Sequence, residues 1–224
     1  MRRSFFFWSS LKATHLKFLY FYTMRPRLKL NHLTTLHDAR YCSAVGVELL
    51  GFDLSESSDF YLEPKAIKEI MDWLSGPRSI GQFQYETPDQ IKSTAEKAGI
   101  ELISLPVDYP LPTASEFEGP LAFRSTTYDG QVVARLAELI ASFPEAYFEF
   151  PAPDATEDLL KIDPEILERS ILHCASPDPV YQILKHSGLK PYAFSLGDFV
   201  EEADGMIDYA SCDDFIEEYQ AVIL

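Results

Sequence analysis

From Met24 onward, short runs rich in β-branched and aromatic residues alternate with stretches whose apolar positions recur at helical spacing. The strand candidates are residues 28–33, 47–53, 79–84, 101–105, 121–125, 146–150, 171–174 and 192–196. Between them the helix signals are explicit. Thr35 and Asp38 have capping-box spacing just after the first strand. Glu63-Pro64 opens a segment that places Ile67, Ile70, Met71 and Leu74 on one face, and Thr87-Pro88 supplies an N-cap with proline in the first turn. Val132, Val133, Leu136, Leu139 and Ile140 follow the pattern of a helix packed on a sheet, as do Phe215, Ile216 and Tyr219 near the end. Gly46, Gly99 and Gly188 each precede a strand, where a helix C-cap is expected.

Two links are weak. Residues 106–120 hold four prolines, which leaves room for a short helix at most after the fourth strand, and residues 151–170 are broken by Pro151, Pro153 and Pro164. Eight strand-helix repeats in this length predict a single-domain (β/α)8 TIM barrel, with degenerate helices after strands 4 and 6, rather than an open doubly wound sheet. No linker or second domain interrupts residues 24–224. Such barrels keep their chemistry at the carboxyl ends of the strands. Asn31 and His32 close the first strand there, Asp53 the second and Glu149 the sixth, which makes these four the catalytic candidates.

Charge narrows the partners. The chain carries 19 basic and 35 acidic residues for a formal charge of −16, and Arg2, Arg3, Lys12 and Lys17 fall in the first 24 residues, which hold no acid. The rest is therefore more acidic still, which disfavours nucleic acid and anionic membranes, since phosphate binding needs clustered Lys and Arg. A small-molecule ligand is the partner expected, and the oligomeric state is open. Cys42, Cys174 and Cys212 lie far apart with no metal-ligand spacing. That argues against a zinc site or disulfide framework and fits a reducing cytoplasm; neither metal nor cofactor is expected.

The first 23 residues stand apart. Their Arg pair and the run from Phe5 to Trp8 suggest a signal peptide, yet Lys12, His15 and Lys17 interrupt the apolar stretch and no small-residue cleavage site follows. They read as an upstream or disordered extension, too interrupted for a spanning helix.

Several segments resemble the phosphoribosylanthranilate isomerase family of tryptophan biosynthesis. The family's first strand and helix run lysine, aliphatic, cysteine, glycine, aliphatic, threonine and then Asp-Ala; here residues 29–39 read KLNHLTTLHDA. GVELLGF from Gly46 matches the second strand, DFYLEPKAIKEI from Asp59 the start of the second helix, SIGQF from Ser79 the third strand, and VEEADGMID from Val200 a motif near the end. The resemblance covers most of residues 27–220 and implies a TIM barrel that performs an Amadori rearrangement on a phosphorylated sugar.

The site positions depart from that implication together. The family's general base is a cysteine; Asn31 stands there, and an amide has no useful basicity near neutral pH. The adjacent glycine is His32. The family's general acid falls near Glu149, a carboxyl that could still donate if burial raised its pKa. The substrate-binding arginine is matched by Phe60, and a histidine at the end of the fourth strand by Pro106. Cys174 and Ala175 occupy the paired glycines of one phosphate-binding turn, Asp198 and Phe199 the Ser-Gly of the other. Side chains there keep a phosphate from the backbone N–H groups, and an aspartate repels it.

Four readings follow. The chain is a diverged barrel without the isomerase reaction that binds another, non-phosphorylated ligand or a partner; or a working isomerase in which His32 or Asp53 replaces the base; or an enzyme with new acid/base chemistry in the same mouth; or a structural or partner-binding protein. Blander alternatives stand beside the sharp ones. Asn31 and His32 could simply hydrogen-bond to close a strand end, only one of them facing the mouth. Asp53 and Glu149, with Asp198, could form a carboxylate site for proton transfer or a metal. His173 and Cys174 point apart, which leaves Cys174 a buried structural thiol.

Overall fold

The computed structural model describes residues 25–110, 116–117, 119–153, 162–186, 189–197, 200–203 and 206–223. Eight parallel strands, each paired with its sequence neighbours, close into a barrel. They are β1 (Arg27–Leu30), β2 (Leu49–Asp53), β3 (Arg78–Gln82), β4 (Leu102–Pro106), β5 (Leu121–Arg124), β6 (Tyr147–Pro151), β7 (Ser170–Cys174) and β8 (Ala193–Leu196). β8 pairs back onto β1 with Ser195 opposite Lys29. The helices are α1 (Leu36–Val45), α2 (Pro64–Asp72), α3 (Pro88–Ala98), α4 (Gly130–Ser142), α5 (Pro164–Leu167), α6 (Pro177–Lys185) and α7 (Tyr209–Ile223). The predicted single-domain TIM barrel is the observed fold.

The weak links behave as their prolines require. Among the described residues no helix joins β4 to β5, and only the four-residue α5 precedes β7. A two-stranded antiparallel hairpin, β9 (Glu201–Ala203) with β10 (Met206–Ile207), was not anticipated. Residues 1–23, read above as an extension, lie outside the described residues, as do Met24 and Gly188.

Local chemistry accounts for most helix ends. Thr87 and Gln90 form a complete capping box on α3, and Gly46 and Gly99 close α1 and α3 at φ 94° and 69°. The box expected at Thr35 and Asp38 is only half made: Thr35 accepts from the Asp38 N–H, but the Asp38 carboxylate takes the hydroxyls of Thr35 and of Tyr209 on α7. α4 buries Val132, Leu136 and Leu139, whereas Val133 is exposed.

The barrel interior changes character along its axis, and that change positions the site. At the amino end Leu49, Ile80, Leu102, Ala122, Ile171 and Ala193 form a dry plug under Tyr147 and Tyr192. Two residues further along each strand, on the same face, stand Gly51, Gln82, Ser104, Arg124, His173 and Ser195, with Lys29 and Glu149 beside them. A second core of larger apolar residues packs the outer strand faces against the helices.

Candidate functional site

The polar layer is wired side chain to side chain. Lys29 is fully buried and its Nζ donates to Glu149 Oε2 at 2.5 Å. The Asn31 amide nitrogen donates to Ser195 Oγ at 3.1 Å and to Glu149 Oε1 at 3.4 Å, and its carbonyl accepts from Gln82 Nε2 at 2.7 Å. Gly51 makes this possible, because a Cβ there would meet Asn31 Oδ1 at 2.3 Å. Arg124 donates to the backbone carbonyls of Ser104 at 2.8 Å and Phe83 at 2.5 Å.

These contacts set the charges. Burial alone would push the Glu149 carboxyl up, but Lys29 by attraction and hydrogen bond, then Arg124 and the Asn31 amide, hold it below the ordinary range. The expectation of a Glu149 raised by burial and able to donate a proton is thus reversed, by a cation that the sequence reading left unassigned. Burial pulls Lys29 below its usual value, opposed by Glu149.

Above this layer a cavity of about 890 Å3 opens at the carboxyl ends of the strands. Asn31, His32, Asp53, Phe60, Pro106 and Glu149 all line it. The expectation that only one of Asn31 and His32 would face the mouth fails for a local reason: β1 ends at Leu30, and His32 sits at φ 57°, so strict alternation does not reach it. His32 Nδ1 lies 2.7 Å from Asp53 Oδ2, and its ring packs on Phe60 with centroids 4.4 Å apart.

Asp53 and Glu149 share the cavity, each with its own hydrogen-bond partner, His32 and Lys29. Among the described residues no group of three His, Cys, Asp or Glu side chains could hold a metal ion. Cys174 and Ala175 do not reach the mouth. Cys174 is buried in the helix-facing core, where burial pushes its thiol up to about 12, and Ala175 is exposed beyond β7. His173, its neighbour, lines the cavity instead. Asp198 and Phe199 lie outside the described residues.

Sequence reasoning missed Lys29, Gln82, Arg124 and Ser195 as site residues. For Gln82, Arg124 and Ser195 the signal was present, since each is a polar residue at an inward strand position whose preceding inward position, Ile80, Ala122 or Ala193, is apolar; Lys29 follows Arg27 and carried no such signal. Reading the eight strands in parallel, rather than each strand end alone, would have found the layer.

No protein-family model matches the chain, and no curated protein matches it. Solved structures do. A phosphoribosyl anthranilate isomerase in complex with a reduced carboxyphenylamino-deoxyribulose 5-phosphate superposes with a TM-score of 0.75 at 19% identity, over 88% of this chain and 99% of that one. The phosphoribosyl anthranilate isomerase of Thermus thermophilus gives 0.68 at 21% identity, over 88% and 99%. Monomers generated from the dimeric enzyme of Thermotoga maritima give 0.72 at 19%, over the same shares. At such identities the likeness is one of fold. Among the described residues no helix is long and apolar enough to cross a membrane.

Proposed function

We propose that this chain is a barrel of the phosphoribosylanthranilate isomerase type that does not perform the isomerisation, and whose mouth binds a different, non-phosphorylated small molecule. One observation carries the reading. The residue in the place of the family's base is Asn31, and its amide is spent on Ser195, Glu149 and Gln82. Such an amide can neither accept a proton from a sugar carbon nor swing toward one without breaking those contacts. The acid position is equally committed, because Glu149 is held as a carboxylate against Lys29. Three free cysteines suit a cytoplasmic setting.

A second reading has its own support in the His32 contact to Asp53 at 2.7 Å. An imidazole held by a carboxylate is a competent base, and His32 could replace the cysteine in a working isomerase.

Complementation of a tryptophan auxotroph lacking the isomerase separates the two, with the full chain and Asn31→Cys in parallel. No growth from either, with folded protein confirmed in the cells, is the expected result. Growth of the unmodified chain, abolished by His32→Gln, would establish the second reading.

A further inference from the structure

The His32 and Asp53 pair has the construction of a proton-transfer site rather than of a surface contact. Asp53 is 5% exposed, while the His32 side chain is 34% exposed and lines the cavity, so the carboxylate lies beneath and the ring reaches the space above. With a carboxylate accepting from Nδ1, the proton resides there and Nε2 carries the free lone pair. Phe60 holds one face of the ring at a centroid distance of 4.4 Å. The backbone of His32 is left-handed at φ 57°, which a non-glycine residue keeps only where its surroundings enforce it, and such residues gather at working sites.

The rest of the mouth says what would meet that lone pair. Of the described residues lining the cavity, Asp53, Asp59, Asp108, Asp129 and Glu149 are acidic and only Arg124 is Lys or Arg. Lys29 neutralises Glu149 from below, which still leaves acids in excess, so an anionic ligand is repelled. Gln82, Gln84, Ser125, Thr126 and Thr127 offer uncharged donors and acceptors, and the Phe60 and Tyr85 rings offer flat apolar faces. That combination of hydroxyl partners with aromatic faces suits a polyhydroxylated molecule without charge.

We infer that His32, oriented by Asp53, is the general base of a proton transfer on an open-chain, unphosphorylated sugar bound in the barrel mouth; this rests on the non-phosphorylated ligand proposed above. The Nε2 lone pair takes the proton from the carbon next to the carbonyl. The C–H electron pair becomes the C=C bond of an enediolate, and the carbonyl π electrons move onto oxygen, where Arg124 is the cation available. The imidazolium, held by Asp53, then returns a proton to that carbon as the electron pair on oxygen re-forms the carbonyl. No oxidant, reductant or second substrate is needed. His32 touches the reacting atoms; Asp53 is a positioning residue.

The test incubates the full chain in D2O with D-ribose, D-xylose or D-glucose, and with D-ribose 5-phosphate as the anionic comparison, following by NMR the loss of the proton signal next to the carbonyl. Protein-dependent deuterium uptake by an unphosphorylated sugar is expected. His32→Ala should lower it by about 100-fold or more at unchanged KM, with added imidazole restoring part of the rate. Asp53→Asn should lower kcat and leave KM in place. Folding of each variant is checked by circular dichroism. Uptake that persists in His32→Ala, or is absent with every sugar, overturns the inference. If a sugar nonetheless broadens or shifts protein resonances in the mouth, the ligand proposal survives while the dyad falls. Uptake with the phosphate ester alone overturns both.

Discussion

Lys29 on β1 and Glu149 on β6 meet at 2.5 Å across the inside of the barrel, 120 positions apart in sequence and both buried. The pair joins opposite parts of the strand cylinder and sits directly beneath the candidate site. It also supplies the acceptor for Asn31, so the geometry of the mouth depends on it.

Removing one member leaves a buried charge uncompensated, which typically costs about 3–5 kcal/mol. Lys29→Met should therefore lower the unfolding free energy by that order. Lys29→Met with Glu149→Leu should return to within about 1–2 kcal/mol of the parent, since Arg124 keeps its carbonyl partners at Ser104 and Phe83. Urea unfolding of the two variants and the parent checks this. A double variant as unstable as the single one would show that the pair organises the layer beyond its own charges.

The same pair predicts the pH dependence of stability. Glu149 has a folded pKa below its ordinary value, so its contribution is complete above the unfolded pKa of about 4.5 and is lost as pH falls through the folded one. Glu149→Gln should thus flatten the acid side of the stability curve, leaving the smaller contributions of exposed carboxylates such as Asp129 and Asp208, which are also depressed. Lys29 acts in the same direction at higher pH. Its folded pKa is lowered by burial, so between that value and about 10.5 the native state binds fewer protons than the unfolded chain, and stability rises with pH there. Without its carboxylate the lowering deepens, and Glu149→Gln should gain stability between neutral and alkaline pH more steeply than the parent. A parallel pair of curves would contradict the assignment.

The fold was legible because each strand carries its own signal: apolar runs bounded by caps such as Thr87-Pro88 and Gly99 need no distant partner to be recognised. The site was legible only in part. Asn31, His32, Asp53 and Glu149 stand at strand ends and announce themselves. The buried charge of Lys29 does not, since a lysine in sequence is by default an exposed one. What makes it interior is Glu149, 120 positions away. The left-handed turn at His32 was hidden for a similar reason. Asp53 and Phe60, which grip its ring from β2 and the loop after it, are distant in sequence, and no local motif marks a histidine at positive φ.

Gly51 should prove as important as any charged residue in the layer. A Cβ there would stand 2.3 Å from Asn31 Oδ1 and 3.1 Å from Gln82 Nε2, so Gly51→Ala forces the amide off its partners. Overpacking of this kind costs roughly 1–3 kcal/mol. Part of the loss should vanish in an Asn31→Ala background, where the nearest obstructed atom is gone and the 3.1 Å approach to the Asn31 Cα remains. Additivity of the two substitutions within about 0.5 kcal/mol in a double-mutant cycle would mean that the amide yields freely.

Phosphate should not stabilise this protein. A helix N-terminus attracts phosphate through free N–H groups and the positive end of its dipole, and α6, which follows β7, opens with Pro177, Asp178 and Pro179. The two prolines have no N–H to offer, and Asp178 already answers the dipole with its own negative charge. By mass action, a site with a Kd of about 1 mM would add roughly 1.4 kcal/mol at about 10 mM ligand, which for a chain of this size raises Tm by about 3–5 °C. Inorganic phosphate and D-ribose 5-phosphate at that concentration should each leave the melting temperature where matched chloride leaves it. A rise of the calculated size from either ligand would reveal a phosphate cradle, and would return the mouth to the phosphorylated-sugar chemistry from which the present reading separates it.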